Sequence, residues 1–274
     1  MIAKCPLCLS SNTVVYLKSK NFEIFRCNSC TNAWTSPPPE AIDYESRDFH
    51  KLEISTKNDA IKSITNLPNQ WQRSIQQQLA LIQNHVPKKA SILEIGCGEG
   101  IFLMELKKDN YITFGIEPSK SAAERAVISG LEVVQGYFPN DLSSERKYDL
   151  VILSHVLEHL EKPTEIIEAI KNVLSPHGKV LLIQTNYEGI IPRLLQRRWY
   201  AWVYDQHYWH FTPAGIINIA EKVGLKKVEY EFSSLVHYDK GFSIRNFVFR
   251  LINLALIFLP NNRKDQFHLM LSIK

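Results

Sequence analysis

A glycine-rich turn between two apolar segments is the first place in this sequence where residue types and spacing could support chemistry. Glycine stands at alternate positions, Gly96, Gly98 and Gly100, after the apolar segment 91–95 and before the helical pattern at 101–108. A strand that leads into a helix through glycines is typical of nucleotide-binding sheets, because residues without a Cβ let the backbone turn tightly and approach a ligand. The spacing matches neither the dinucleotide motif nor the phosphate-binding loop.

Two acidic residues lie beside this turn. Glu94 falls inside the predicted strand, where a buried carboxylate needs a cationic or hydrogen-bonding partner. Glu117 ends the next apolar segment, 112–116, at the distance where an acid binds a ribose diol in such folds. Glu117 therefore predicts a ligand that carries a ribose. The alternative is an ordinary nucleotide fold in which the glycines are placed by chance.

This order of residues resembles the class I S-adenosylmethionine-dependent methyltransferases over nearly the whole chain. Their first motif is acid-x-Gly-x-Gly-x-Gly, and their second strand ends in an acid matched by Glu117. Many relatives also have an acid after the third strand that contacts the adenine amine, where this chain has Gln135, so Gln135, backbone groups and aromatic stacking are expected to replace it. The resemblance implies S-adenosylmethionine as cofactor, bound by Glu94, Gly96, Cys97, Gly98, Gly100, Glu117, Pro118, Gln135 and His155.

Alternating strand and helix patterns predict an α/β fold, a doubly wound sheet with helices on both faces. The resemblance implies seven strands, mostly parallel with the last antiparallel, in a Rossmann-like methyltransferase fold. A helical pattern at 55–85 with a break at 67–69 precedes the sheet. Strands are predicted at 91–97, 112–117, 131–135, 148–154, 179–184, 226–232 and 268–273, and helices at 100–108, 119–129, 164–174 and 214–223.

Four of the five cysteines form two Cys-x-x-Cys pairs near the amino terminus. The 18 residues between the pairs match the spacing of a zinc ribbon, in which four thiolates close a structural site. A predicted hairpin, 14–17 and 22–25, lies between them, and the alternative is two unrelated turns with free thiols. We expect a zinc ribbon at 1–36, a proline-containing linker at 37–54 and a methyltransferase domain at 55–274. The predicted zinc ligands are Cys5, Cys8, Cys27 and Cys30.

The segment after the fourth predicted strand contains His155, Glu158 and His159 at positions i, i+3 and i+4, which share one face of a helical turn. A histidine there can remove a proton from an acceptor during methyl transfer. Glu158 and His159 could instead hold a second divalent cation, as a related Glu-x-x-Glu-His segment does in some O-methyltransferases, although here His155 takes the first place. The third alternative is support of the cofactor pocket.

Two segments are predicted insertions that act as lids, at 187–211 and 236–262. The first is rich in aromatic residues and arginine and contains His207 and His210, of which His210 is a candidate base or an orienting residue. The second contains an apolar helical pattern at 244–259, expected to pack, to dimerise or to contact a membrane surface. By resemblance, Tyr44 and Phe49 cover the cofactor, or they pack the linker against the domain. The catalytic candidates are His155, His159 and His210.

Composition narrows the function classes. The 274 residues carry a net charge of +4, which alone is too weak to imply nucleic acid binding. The amino terminus has no apolar signal core, and no apolar segment reaches the length of a membrane span, so a cytoplasmic location is expected, with membrane association through 244–259 as an alternative. We expect a methyltransferase that acts on a small molecule or glycan, with O-methylation and a histidine base. The alternatives are an RNA or protein methyltransferase that uses the ribbon for recognition, and a non-catalytic adaptor.

Overall fold

The computed structural model describes residues 3–40, 44, 69–143, 145–233 and 264–273. Four predictions lie wholly or mostly outside these residues: the helical pattern at 55–68, Phe49, most of the linker, and the insertion at 236–262 with its apolar helix. No helix in the described ranges has both the length and the apolar character needed to cross a membrane.

The described residues form eleven strands and six α-helices, together with three short 3-10 helices at Leu157–His159, Gln196–Arg198 and Tyr200–Trp202. The strands are β1 (Thr13–Lys18), β2 (Glu23–Cys27), β3 (Ala33–Ser36), β4 (Ser91–Ile95), β5 (Ile112–Glu117), β6 (Glu132–Gln135), β7 (Tyr148–Ser154), β8 (Leu174–Thr185), β9 (Trp209–His210), β10 (Leu225–Ser233) and β11 (Gln266–Ile273). The helices are α1 (Asn69–His85), α2 (Ile101–Lys108), α3 (Lys120–Ile128), α4 (Pro163–Lys171), α5 (Ile190–Leu195) and α6 (Pro213–Lys222).

The larger sheet has the strand order β10-β11-β8-β7-β4-β5-β6. The pairs from β8 to β6 are parallel, and β11 is antiparallel to both of its neighbours. This arrangement confirms the predicted seven-stranded, mostly parallel sheet. Strand order reverses at β4, which lies between β5 and β7, and ligands bind at the carboxyl ends of the strands beside such a reversal.

Helices cover both faces of this sheet because alternate strand residues point to opposite sides. Leu150 and Ile152 of β7 pack into a cluster with residues of α1, α2 and α3, such as Ile82 and Leu103. The alternate residues of β7 pack into a second cluster with α4 and α6. The two faces of the sheet are therefore both covered, and the ends of β4, β5 and β7 are the place where a ligand site is expected.

A second, four-stranded sheet has the order β1-β2-β3-β9. Its first two strands form the predicted hairpin, and β3 pairs antiparallel with β9, which comes from the predicted lid at 187–211. A third hydrophobic cluster joins Leu17, Ile24 and Ala33 to Trp199 and Trp202 of that segment. Both tryptophans are buried in this cluster against the amino-terminal sheet. The lid role of 187–211 remains a prediction.

Candidate active site

The glycine turn after β4 depends on backbone conformations that favour glycine. Gly96, Gly98 and Gly100 have φ values of +69°, +54° and +75°. A Cβ on Gly96 would lie 2.7 Å from Cγ2 of Val156, and one on Gly100 would lie 2.1 Å from Cδ1 of Leu131. A Cβ on Gly98 would meet no atom of the described residues within 4 Å. Two of the glycines thus permit close packing, while the third faces open space where a ligand can approach.

Glu117 at the end of β5 joins this turn to the next helix. Its Oε2 accepts a hydrogen bond from the Gly98 amide at 2.8 Å, and its Oε1 accepts one from the Ser119 amide at 2.9 Å. The Ser119 hydroxyl caps α3 by accepting from the Ala122 amide. Glu117, the predicted ribose ligand, therefore also holds the backbone of the glycine turn. It is followed in sequence by Pro118.

Glu94 is buried in β4, and its Oε2 has no hydrogen-bond partner among the described residues. Burial, followed by the negative charge of Glu117, raises the pKa of Glu94 to about 8. A buried carboxyl that lacks a partner suits a cationic ligand group. The neighbouring Cys97 is also buried, and burial raises the pKa of its thiol well above the usual range, so it stays a neutral thiol.

The far side of the turn is formed by the segment after β6. Gln135 is exposed and its amide donates to the Pro118 carbonyl at 3.2 Å, while the Tyr137 amide donates to Oδ2 of Asp141 at 2.7 Å. The ring of Tyr44 lies 6.4 Å from that of Tyr137. Burial and the charge of Glu117 raise the pKa of Tyr44 to about 12, which locates it close to the turn.

His155 follows β7 and forms a pair with Glu158. The His155 Nδ1 lies 3.2 Å from Oε1 of Glu158, and its Nε2 lies 2.8 Å from the side-chain nitrogen of Gln266. Because an amide nitrogen only donates, Nε2 carries the lone pair and Nδ1 carries the proton. Burial would raise the pKa of Glu158, but the hydrogen bond from His155 and the charges of the nearby histidines hold it well below its usual range.

Gln266 belongs to a buried polar cluster that the sequence reasoning missed. Its Oε1 accepts from the hydroxyls of Ser74 in α1 and Ser233 in β10, and His268 lies against Ser233 at 3.1 Å. Burial lowers the pKa of His268 to about 3, so it stays neutral. The members of this cluster come from distant parts of the chain, so the sequence does not show that they meet. The one local signal for them is a polar residue on an otherwise apolar face.

His159 and His207 meet beside Glu158. Nδ1 of His159 donates to the Gln206 carbonyl at 3.2 Å, and Nδ1 of His207 donates to the Ala201 carbonyl at 3.0 Å. The two rings are 4.8 Å apart, and one ligand atom from each histidine and from Glu158 lies within 4.8 Å of the others. Burial lowers the pKa of His207 to about 4. The sequence placed His159 here but assigned no role to His207.

His210 lies in β9 and is almost completely buried, with 1% of its surface exposed. Its Nε2 lies 3.0 Å from Oγ1 of Thr35 in β3, and its ring packs 4.8 Å from that of Trp202. Burial lowers the pKa of His210 well below the usual range. This geometry favours the orienting role of His210 over that of a base that reaches a substrate.

The four predicted zinc ligands come together beside this second sheet. Their sulfur atoms lie within 4.8 Å of one another, with Cys5 and Cys30 at 3.7 Å and Cys8 and Cys27 at 3.5 Å. None of the four forms a disulfide. Four thiols at these distances match the donor set of a tetrahedral zinc site.

The chain is similar in sequence to two known proteins. The chain is 30% identical over 105 residues to the ubiquinone biosynthesis O-methyltransferase of Salmonella paratyphi A, spanning 36% of this chain and 43% of that protein. It is 23% identical over 163 residues to an uncharacterized protein of Methanocaldococcus jannaschii, spanning 60% of this chain and 77% of that protein. The chain therefore spans less than half the length of the O-methyltransferase that it matches.

A solved structure shows the same fold. The magnesium protoporphyrin IX methyltransferase of Synechocystis PCC 6803, with bound S-adenosylhomocysteine, superposes with a TM-score of 0.55 at 15% identity, covering 81% of this chain and 96% of that chain. Residues 64–230, more than half of the chain, match the family model of the methyltransferase domain. With the glycine turn, Glu117 and the seven-stranded sheet in place, the chain belongs to this family and is an S-adenosylmethionine-dependent methyltransferase.

Proposed function

We propose that this enzyme transfers the methyl group of S-adenosylmethionine to a hydroxyl of a small molecule or glycan. The observation that carries this proposal is the position of the His155 and Glu158 pair at the end of β7, next to β4 and its glycine turn. A proton acceptor and a nucleoside site therefore share one edge of the sheet. The similarity to ubiquinone biosynthesis O-methyltransferases supports a small acceptor and transfer to oxygen.

The cofactor contacts follow from the turn. Glu117 at the end of β5 accounts for the ribose, and the open space at Gly98 admits the nucleoside close to the backbone. Glu94 has a buried oxygen without a hydrogen-bond partner among the described residues, and it matches the positive charge that the cofactor carries. Gln135 and the rings of Tyr44 and Tyr137 lie on the side expected for adenine.

The reaction is an in-line displacement in which the acceptor oxygen attacks the methyl carbon. The oxygen-to-carbon bond forms while the sulfur-to-methyl bond breaks, so S-adenosylhomocysteine leaves and the acceptor proton must be removed. His155 is the residue we assign to that proton, because its Nε2 holds the lone pair and about a third of its side chain is exposed, at 32%. The acceptor hydroxyl would take the place of the Gln266 amide at Nε2. Glu158 would then stabilise the charged imidazole through Nδ1.

The remaining histidines have supporting roles in this proposal. His210 orients β9 through Thr35, and His159 packs against His207 at the other side of Glu158. The four clustered cysteines hold a structural zinc ion, which leaves no open coordination position for chemistry.

The test is transfer of a labelled methyl group to a panel of phenols, sugar alcohols, RNA and protein, with the full chain. We expect a methyl ether on a small hydroxyl acceptor, and a loss of about 10²–10⁴-fold in rate for His155→Ala. His177→Ala serves as the matched control, because His177 is exposed in β8. Full activity of His155→Ala would remove the base assignment. Labelling of RNA or protein alone would overturn the proposed acceptor class.

A further inference from the structure

We propose that Glu158, His159 and His207 form a second metal site, which takes a divalent transition ion of the zinc class. The three residues come from two segments about 50 positions apart in sequence, the turn after β7 and the segment before β9. One ligand atom from each lies within 4.8 Å of the other two. Around an ion bound at the usual zinc distances, ligand atoms are about 3.3 Å apart, so small side-chain shifts complete the site.

The first argument is the carboxylate of Glu158. Only 1% of this residue is exposed, and its Oε1 is paired with His155. Its Oε2 is buried without a hydrogen-bond partner among the residues that the structure describes. A buried carboxylate oxygen without a donor is costly. A cation at Oε2 removes that cost, while Oε1 keeps its bond to His155.

The second argument is the orientation of the two imidazoles. Each Nδ1 faces a backbone carbonyl, Gln206 for His159 and Ala201 for His207. A carbonyl only accepts, so each Nδ1 carries the proton and each Nε2 keeps its lone pair. Metal-binding histidines have this arrangement, in which the second nitrogen donates to a carbonyl and fixes the ring. The two rings have centroids 4.8 Å apart, and one ligand atom of each lies within 4.8 Å of a Glu158 carboxylate oxygen.

The backbone reinforces this arrangement. The Tyr208 amide, next to His207, donates to the Glu158 carbonyl at 2.8 Å, so the two ligand-bearing segments are held together directly. Two imidazoles with one carboxylate suit zinc, manganese, cobalt or iron, whereas magnesium and calcium prefer oxygen ligands alone. Three protein ligands also leave a coordination position open.

The role of the ion rests on the proposed function. An acceptor hydroxyl bound at the open position would lose its proton more readily, because a bound cation lowers the pKa of a coordinated oxygen. His155 would accept that proton, and it shares Glu158 with the ion through the opposite oxygen. Glu158 is then a positioning residue for the base and a ligand of the ion.

Titration with Co²⁺ of the full chain loaded with one zinc ion per chain, an amount that only fills the four-cysteine cluster, tests the site. A cobalt ion bound by imidazole and carboxylate gives d–d absorption without a thiolate charge-transfer band, which separates it from cobalt bound to the four cysteines. We expect this absorption to saturate at one ion per chain. We also expect Glu158→Gln and His207→Gln to weaken cobalt binding at least about tenfold, in line with loss of one ligand. His177→Gln should titrate like the wild-type protein.

The inference is overturned if the wild-type chain shows only absorption with thiolate character, or if Glu158→Gln keeps the same cobalt absorption. The wild-type titration decides the matter even if a variant fails to fold. Binding of S-adenosylhomocysteine and methyl transfer, measured on the same samples, separate the two proposals. Methyl transfer without the cobalt signal removes the metal site alone, and a cobalt signal without cofactor binding or methyl transfer removes the proposed function alone.

Discussion

The glycine turn and the amino-terminal sheet contribute to the same edge of the protein in opposite ways. The turn lies within residues 94–119, and Glu117 holds it through bonds to Gly98 and Ser119, both within about 20 positions in sequence. The amino-terminal sheet acts across more than half of the chain, because Thr35 bonds to residues near 208. The cofactor side is therefore local in sequence, and the acceptor side is assembled from distant segments.

A set of hydrogen bonds joins β3 of the amino-terminal sheet to Glu158. The Thr35 amide donates to the Tyr208 carbonyl at 2.9 Å, and the Thr35 hydroxyl donates to the His207 carbonyl at 2.8 Å. The Tyr208 amide then donates to the Glu158 carbonyl. The comparison implies that the amino-terminal module braces the histidines of the acceptor side and leaves the cofactor side independent.

The largest expected effect comes from breaking the cysteine cluster with Cys27→Ser. Loss of one thiolate should strongly weaken the zinc site proposed at this cluster, so that β3 would no longer hold β9. We expect methyl transfer to fall at least about 100-fold, while the affinity for S-adenosylhomocysteine, measured by calorimetry, changes less than about threefold. Equal losses in both measurements would show that the two regions are not independent.

The second prediction concerns the cofactor side. Glu117→Ala removes two hydrogen bonds to the turn and the proposed ribose contact. Hydrogen bonds to a charged group contribute about 1.5–3 kcal/mol, so we expect cofactor affinity to fall by about 10- to 100-fold in calorimetry. Glu124→Ala is the matched control, because Glu124 is exposed on α3 and its ion pair with Lys120 is long, at 4.0 Å. A similar loss in both variants would contradict the role of Glu117.

The third prediction compares two glycines of the same turn. Ala in the left-handed conformation costs about 1–2 kcal/mol, and we expect Gly98→Ala to lose only this amount because its Cβ meets open space. Gly100→Ala adds an overlap with Leu131, so a further loss of about 1–3 kcal/mol is expected. Unfolding in urea measures both changes. Equal free energies of unfolding for the two variants would contradict the packing described for Gly100.

The smallest expected effect is proton release from Glu94. Its pKa is raised to about 8, so at pH 7 the free protein holds this carboxyl mostly protonated. The positive charge of S-adenosylmethionine favours the ionised form of the Glu94 carboxyl. Binding of this cofactor between about pH 5 and 8 should therefore release up to about one proton. Calorimetry in buffers of different ionisation enthalpy measures the release, which Glu94→Gln should abolish. An unchanged release in the variant would assign the proton to another group.

The same pKa shift predicts how the stability of the free protein depends on pH. An acid with a raised pKa in the folded state binds more protons than it does when unfolded, so its contribution to stability is lost as pH rises between the unfolded value and about 8. Glu94→Gln should therefore stabilise the free protein more at pH 8 than at pH 5, as thermal unfolding would show. A pH-independent difference would contradict this assignment.

Much of the fold followed from the sequence because its signals are local. The strand and helix periodicity, the three glycines and the two acids all lie within short windows, and the seven-stranded sheet formed as predicted. β8 is longer than predicted and begins at Leu174, which pairs with Tyr148 of β7 ahead of a register irregularity.

The acceptor side could not be predicted in the same way. The bonds of Gln266 to His155, of Thr35 to His210, and the approach of His207 to Glu158 join residues about 50 to 175 positions apart. Nothing in the spacing of single residues indicates which distant side chains will meet. The segment after β6 is also hard to predict. Gln135 stands where many relatives have an acid, and the turn that follows is held by a bond from the Tyr137 amide to Asp141.

The most direct test of the account is calorimetric titration of S-adenosylhomocysteine into the wild-type chain and Gly98→Asn. Asn tolerates the left-handed conformation, and its side chain would enter the space that we assign to the nucleoside. The account predicts binding by the wild-type chain and loss of binding by a variant with unchanged thermal unfolding. Equal affinity in both proteins would contradict the claim that the cofactor lies against the glycine turn.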